Sequence, residues 1–123
     1  MVSYLSLLRV ADNSGARLVQ CIKILKGSFQ KIAHMGDVLV VVIKRADPLK
    51  KKKVAIGGLF RGLLVRSTIP FSRSVGVWVR FNQNAIVLVN KRNAPLAKRL
   101  KGPMLREVCM KYNFLGTISR FVI

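Results

Sequence analysis

The chain has 123 residues, of which 51% are apolar, so its composition predicts one folded domain with a modest core and excludes a disordered chain. Basic residues outnumber acidic ones by 23 to 4, which gives a net charge of +19 at pH 7. Self-repulsion of that size opposes compact folding, and a polyanion relieves it, so we expect a nucleic-acid partner. The longest aliphatic run, residues 38–43, is far shorter than the roughly 20 residues of a membrane-spanning helix, and we expect no membrane partner.

Too few catalytic groups are present for an enzyme. The chain has four acids and a single histidine, His34, whereas general acid–base catalysis usually needs a carboxylate pair or a well-placed histidine. His34, Asp37 and Ser28 could be drawn as a triad, but no nucleophile-elbow motif accompanies them. We therefore predict that the protein is not an enzyme.

The cysteines do not indicate a metal site. Cys21 and Cys109 lie in separate segments, without the paired spacing of zinc ligands. We predict buried, reduced thiols, no metal and no cofactor.

Two strands are predicted first, at residues 5–10 and 18–25. Between them lies Asp12-Asn13-Ser14-Gly15, a turn in which Asp and Asn side chains can bond the backbone and glycine accepts a positive φ. Alternation in the second strand places Leu18, Gln20, Ile22 and Ile24 on one face. It places Arg17, Val19, Cys21 and Lys23 on the other, which we predict to be half wet.

The next strand, residues 38–44, is the most apolar, and we predict that it is buried on both faces. Asp47-Pro48 then disfavours a continuing regular element, and four consecutive lysines follow. Such a run is often a solvated loop, but at this net charge we predict that it contacts a polyanion. These lysines are Lys50, Lys51, Lys52 and Lys53.

Residues 60–90 are predicted to organise the fold. Two strands, residues 62–65 and 85–89, are apolar throughout and should have both faces covered, as in a closed barrel. A third, residues 77–81, is predicted between them. Its Trp78 could stack on an unpaired base, but a lid over the barrel is the commoner role and the one we predict. Arg66, Arg73 and Arg80 should be wet and reachable at strand ends and in the connecting loop.

The last third is predicted to be helical. Residues 96–100 could form one helical turn, and residues 104–112 place Leu105, Val108, Cys109 and Tyr112 at the spacing of one amphipathic helix. The tail, residues 114–123, is apolar apart from Arg120. This is more apolar surface than one short helix needs, so the excess either closes a barrel end or docks another protein.

Three blocks of this sequence resemble one family. Gly62 followed by aliphatics, then Gly76, Phe81, Asn84 and Val87-Leu88, is similar to the signature of the family of large-subunit ribosomal protein fourteen. The family expects a small polar residue before the second glycine, where this chain has Val75, and Val-Gly does not favour a tight primed turn. Residues 10–17, with Asp12-Asn13-Ser14-Gly15, resemble the family's opening block. Gly102-Pro103 and residues 105–108 resemble its closing block.

The resemblance implies a mainly β fold: a small closed five-stranded β-barrel with a protruding basic hairpin and short C-terminal helices. It further implies a single domain over residues 1–123, with the barrel at about 1–90 and a docking segment at about 91–123. The family implies a structural role in the large ribosomal subunit and binding to its rRNA. The predicted RNA-binding residues are Asn13, Ser14, Arg17, Lys23, Lys50, Lys51, Lys52, Lys53, Arg66, Arg73, Arg80, Lys91, Arg92, Lys98, Arg99 and Lys101.

Further partners implied by the resemblance are large-subunit proteins three and nineteen, and small-subunit rRNA at an intersubunit bridge. Some relatives are also docked by a ribosome-silencing factor. Lys98 and Arg99 match the family's surface for it, but a neighbouring basic position is Leu115 here, so that partner is left open. The protein-docking residues that we predict are Lys98, Arg99, Arg106, Tyr112 and Leu115.

Scarce acids and a positive mean hydropathy favour a mitochondrial ribosome, with a bacterial cytoplasm or a plastid as the alternatives. No targeting extension is recognised in the sequence. A free single-strand RNA-binding β-barrel of the cold-shock type is the alternative function, and it would group aromatic residues on one sheet face.

Overall fold

The computed structural model describes residues 2–27, 31–47 and 54–123. In chain order the elements are β1 Leu7–Val10, β2 Ala16–Ile24, β3 Val38–Ala46, β4 Leu59–Arg66, β5 Phe71–Ser72, β6 Trp78–Val79, β7 Ala85–Val89, β8 Pro103–Met104, α1 Arg106–Lys111, α2 Asn113–Ile118 and β9 Phe121–Val122. Strands β1, β2, β3, β4 and β7 form a closed barrel in that order, antiparallel except where β1 and β7 run parallel at the seam. The predicted mainly β fold, with a closed five-stranded barrel and short C-terminal helices, is confirmed.

Two apolar clusters stabilise the barrel. Inward side chains of all five strands, such as Leu8, Leu39 and Leu88, fill its interior. Outward side chains of β4 and β7 pack under the C-terminal segment, where Val108 and Leu115 are buried. Both faces of β4 and β7 are therefore covered, as predicted. On β3 the prediction of two buried faces is wrong, because burial alternates along most of that strand.

The predicted faces of β2 are reversed in the middle of the strand, although Arg17 and Lys23 are exposed on the face that we predicted to be half wet. Val19 and Cys21 are fully buried, whereas Leu18, Gln20 and Ile22 lie half exposed on the outer wall. The pairing of β2 with β3 shifts register between Cys21 and Lys23. Such an irregularity changes which face the following residues present, and it returns Ile24 to the interior.

The strand predicted at residues 77–81 is not part of the barrel. β6 is two residues long and pairs with β5, so the two form a separate hairpin between β4 and β7. Its loop has Gly76 at φ 87°, with hydrogen bonds from Gly76 N–H to Arg73 O (3.0 Å) and from Arg73 N–H to Val77 O (2.9 Å). This three-residue loop explains how Val-Gly is accommodated without a primed turn. Trp78 is 66% exposed, so the prediction of a barrel lid is wrong.

The C-terminal segment holds two short helices instead of one. Tyr112 lies between α1 and α2 in an extended conformation, with φ −126° and ψ 96°. Residues 96–100 do not form the predicted helical turn. The tail returns to the body, since β9 pairs in parallel with β8 and Ile123 N–H donates to Met104 O at 2.8 Å. None of the helices in the described part of the chain is long and apolar enough to cross a membrane.

Both cysteines are free thiols. Cys21 is fully buried in the barrel and Cys109 is half-buried against the outer cluster. Burial raises the pKa of both thiols, which keeps them protonated and poorly nucleophilic near neutral pH.

Candidate nucleic-acid interface

The turn at residues 12–15 closes the barrel seam and presents Asn13. Asp12 Oδ1 accepts from the Ser14 N–H (3.1 Å) and hydroxyl (2.6 Å), and Gly15 has φ 103°. Asp12 Oδ2 accepts from Leu88 N–H of β7 at 3.0 Å. The predicted turn mechanism is thus confirmed. Ser14, however, is buried and its hydroxyl is engaged inside the turn, unlike the surface position that we predicted for it.

A basic groove lies beside this turn. The loop of residues 98–102 faces residues 117–121 across a cavity of about 670 Å³ that Asn13 also lines. The cationic side chains along it are Lys98, Arg99, Lys101 and Arg120, and each of these residues is exposed. The prediction for this site lacked Arg120, although it is the one charged residue in an otherwise apolar tail.

Lys101 joins this groove to two further groups of basic side chains. Its backbone N–H donates to Ala11 O at 2.7 Å, which fixes the loop to the end of β1. It lines a second cavity with Arg17. Its carbonyl accepts a hydrogen bond from Arg66 Nη2 at 3.0 Å. Arg66 in turn shares a cavity with Arg80. We name this collection the Lys101 surface: Asn13, Arg17, Arg66, Arg80, Lys98, Arg99, Lys101 and Arg120.

Arg73 belongs to a different arrangement and is not the freely reachable group that we predicted. Its Nε lies 2.8 Å from Glu107 Oε1, and its Nη2 donates to Ile123 O at 2.6 Å. The side chain is 20% exposed. Arg73 therefore connects the β5–β6 hairpin to α1 and to the C-terminal strand.

Three other predicted RNA-binding residues lie away from the Lys101 surface. Lys23 is exposed on β2 opposite Val40. Lys91 and Arg92 are exposed in the loop after β7, where Lys91 lines a mainly apolar cavity with Phe60 and Leu96. The structure does not bring these three to the Lys101 surface. Lys50, Lys51, Lys52 and Lys53 lie outside the described residues.

The predicted docking residues differ in accessibility. Arg106 is exposed and Tyr112 is half-buried, with its hydroxyl donating to Gly36 O at 3.3 Å. Leu115 is fully buried in the outer cluster, so its prediction as a docking residue is wrong. Apolar side chains are also exposed on the hairpin, which the docking prediction left out, and on the tail, for which docking was one of two predicted roles. They are Val75, Val77, Trp78, Phe121 and Val122.

The four carboxylates are all engaged within the chain. Asp12 binds the turn and β7, Asp47 pairs with Arg17 at 3.3 Å, Asp37 with Lys26 at 3.6 Å, and Glu107 with Arg73. Basic residues outnumber these four acids by 23 to 4, so the chain keeps a net charge of +19. A positive charge of that size attracts anionic ligands.

No catalytic or metal-binding arrangement stands out in the part of the chain that the structure describes. His34 Nδ1 lies 4.0 Å from Asp37 Oδ2, and its side chain is 60% exposed. Ser28, the third member of the triad considered above, lies outside the described residues. Within residues 2–27, 31–47 and 54–123, no group of three or more His, Cys, Asp or Glu side chains could hold a metal ion.

The sequence was compared with models of known protein families. The model described as ribosomal protein L14p/L23e matches residues 1–123, which is the whole chain.

Proposed function

Because this chain belongs to the ribosomal protein L14p/L23e family, a structural and non-enzymatic family of the large ribosomal subunit, we propose that it binds large-subunit rRNA through the Lys101 surface. The observation that carries this proposal is the convergence of cations from five segments of the chain on one connected surface. Two acids also line this surface, but Asp12 is bound to Ser14 and Leu88 and Asp47 is paired with Arg17. Arg17 comes from β2, Arg66 from β4 and Arg80 from the end of β6. The 98–102 loop and the tail supply the others.

Contacts of this kind favour the phosphate backbone over base edges. Arginine pairs bidentately with phosphate and lysine acts as a point charge, so both position the protein without reading sequence. Selectivity for large-subunit rRNA then depends on the arrangement of phosphates in its folded shape, which tRNA and small-subunit rRNA do not reproduce. Among the residues that the structure describes, the exposed aromatic side chains are those of Tyr4, Trp78 and Phe121, which lie in three different segments. That distribution disfavours the cold-shock alternative, which would group aromatic residues on one sheet face for base stacking.

We also propose that the β5–β6 hairpin and the C-terminal strand meet neighbouring large-subunit proteins. Their exposed apolar side chains support this, since such groups are typical of protein contacts. The family resemblance suggests proteins three and nineteen as these neighbours, and small-subunit rRNA at an intersubunit bridge. A ribosome-silencing factor could use Lys98 and Arg99, and that partner is left open. The protein acts at the ribosome, for which we propose the mitochondrial type because acids are scarce and mean hydropathy is +0.34.

The experiment is a filter-binding titration of purified protein with large-subunit rRNA transcripts over a range of salt. With on the order of ten phosphate contacts, the association constant should fall by several decades between about 50 and 200 mM salt. Small-subunit rRNA and tRNA at equal nucleotide concentration are the competitors, and they should displace the large-subunit transcript poorly. An affinity that does not change with salt, or equal competition by tRNA, contradicts the proposal.

A further inference from the structure

Arg66 is held in an environment that is costly for an unpaired cation. It lies half-buried at the end of β4, and its Nε is buried without a hydrogen-bond partner. Nη2 reaches the carbonyl of Lys101, a neutral acceptor, at 3.0 Å. The guanidinium makes no ion pair with the acids in the described ranges. Burial lowers the pKa of Arg66, yet an arginine side chain keeps its charge in a protein.

The backbone at Gly102 is shaped to admit this side chain. Gly102 has φ +82°, and a Cβ built there would overlap Arg66 Nη1 and crowd its Cζ. The guanidinium therefore fits against the 98–102 loop because residue 102 has no side chain. The hydrogen bond from Nη2 to Lys101 O and the close approach at Gly102 position one arginine fork, and its Nε is left without a partner.

Arg66 also lines a small cavity. It measures about 340 Å³, and the other lining residues are Arg80, Phe81, Asn82, Gln83 and Pro103. Arg80, Asn82 and Gln83 are exposed. The residues around the cavity therefore carry two guanidinium groups and two side-chain amides, and none of them is acidic. A partly desolvated cation beside such a cavity is matched by an anion with several acceptor oxygens.

We propose that this cavity is a binding site for one backbone phosphate of the rRNA, held by the forks of Arg66 and Arg80. The inference rests on the proposed rRNA binding and adds a fixed anchoring point to it. Elsewhere on the Lys101 surface the lysines are exposed and act as mobile point charges. At Arg66 the donor geometry is preset, so little side-chain freedom remains to be lost on binding.

The test uses variants that leave the net charge unchanged, so that non-specific attraction to RNA stays the same. Arg66→Lys keeps the charge but loses the fork, and Arg80→Lys does the same at an exposed position. Arg61→Lys is the matched control, because Arg61 is also half-buried on β4 and donates to a loop carbonyl, that of Lys91 at 3.4 Å. In filter binding at about 150 mM salt, Arg66→Lys should weaken rRNA affinity by about 10- to 100-fold, and Arg61→Lys by less than about threefold.

A second pair of variants changes the cavity without touching an arginine. Gly102→Ala should displace the guanidinium and weaken binding in the same direction. Gly76→Ala is its control, since that glycine has φ +87°, close to the +82° of Gly102, and nothing lies within 4 Å of a Cβ there. The control therefore carries the same backbone strain without a contact to Arg66. Circular dichroism melts check the folding of each variant. If Gly102→Ala unfolds the protein, the proposed phosphate site is tested by Arg66→Lys and by Arg80→Lys. Arg80 is exposed, so its replacement should leave the fold intact.

Phosphate-ethylation interference supplies the readout that a merely structural role would not change. At least one phosphate whose ethylation blocks binding of the wild-type protein should cease to matter for Arg66→Lys. Equal affinities of Arg66→Lys and Arg61→Lys, or an identical interference pattern, would overturn the inference while rRNA binding stands. If the wild-type protein itself shows no preference for large-subunit rRNA, it is the proposed function that fails.

Discussion

Asp12 makes the side-chain contacts that continue the β1–β7 pairing at the barrel seam. Its two carboxylate oxygens accept from Ser14 and from Leu88 N–H, and the residue is only 4% exposed. Asp12→Asn replaces one carboxylate oxygen with an NH₂ group, which cannot accept a hydrogen bond from Ser14 or from Leu88. A buried donor then loses its partner, so we expect the free energy of unfolding to fall by about 1–3 kcal/mol.

Urea unfolding followed by circular dichroism measures this loss. Asp47→Asn controls for the loss of one negative charge. Its effect should be smaller, because the Asp47 side chain is 16% exposed and its ion-pair partner Arg17 is 72% exposed, so solvent screens the pair. Equal midpoints for Asp12→Asn and the wild-type protein would show that the seam does not depend on this carboxylate.

Local sequence predicts a residue's role when its partners are also local. The turn at Asp12 was predictable because Ser14 and Gly15 are its neighbours. Arg73 was not, since its partners Glu107 and Ile123 lie 34 and 50 residues away. The sequence does not distinguish Arg66 from Arg73. In the structure Arg66 donates a hydrogen bond to the neutral carbonyl of Lys101, whereas Arg73 forms an ion pair with the carboxylate of Glu107.

Among the elements, long apolar strands were predictable and short or irregular ones were not. β3, β4 and β7 are recognised from runs of aliphatic residues, which need cover on one or both faces. The alternation in residues 77–81 is equally typical of a barrel strand, yet β6 pairs with β5 outside the barrel. The irregular register of β2 changes its faces without any glycine or proline within the strand to indicate it.

The C-terminal segment divides into a part that belongs to the core and a part at the surface. Leu115 is fully buried, whereas Phe121, Val122 and Ile123 are 64%, 44% and 43% exposed. Leu115→Ala should lower the free energy of unfolding by about 2–5 kcal/mol, because it leaves a cavity in the outer cluster. RNA binding and subunit incorporation should then decline together, in step with the folded fraction.

Deleting residues 121–123 should separate these two activities. The deletion removes β9, the contacts of Ile123 with Met104 and Arg73, and Phe121 from the lining of the basic groove, but it leaves every cationic residue of the Lys101 surface in the chain. We expect a folded protein that binds isolated rRNA within about threefold of the wild-type affinity, since no cationic side chain is lost. Incorporation into large subunits, measured by co-sedimentation after a high-salt wash, should fall further. Normal incorporation would show that the tail is not a docking element.

At the scale of the whole molecule, charge opposes the folding that the apolar residues favour. A net charge of +19 on 123 residues produces self-repulsion that an isolated domain must overcome. The barrel tolerates it because its interior is apolar and its few acids form internal contacts. RNA then relieves the repulsion by neutralising the basic surface. The stability of the free protein and its affinity for RNA are therefore linked. Added salt should raise the stability of the free protein and weaken its binding to RNA.

Replacing Lys50, Lys51, Lys52 and Lys53 with Gln tests this link. The change lowers the formal net charge by four, from +19 to +15. If the run contacts RNA and does not support the barrel, the melting temperature of the free protein should stay level or rise at low salt, because like charges are removed. The affinity for rRNA should fall, and the slope of log K against log salt should become shallower by about 3 to 4 if all four lysines neutralise phosphates. Scanning calorimetry at about 20 and 200 mM salt and the filter-binding titration measure the two effects.

A variant with Gln at Lys26, Lys31, Lys44 and Arg45 is the control. These four basic residues are exposed and lie outside both the lysine run and the Lys101 surface, so the variant removes an equal charge and separates position from net charge. A clear drop in melting temperature for the lysine-run variant alone would show that the run is structural.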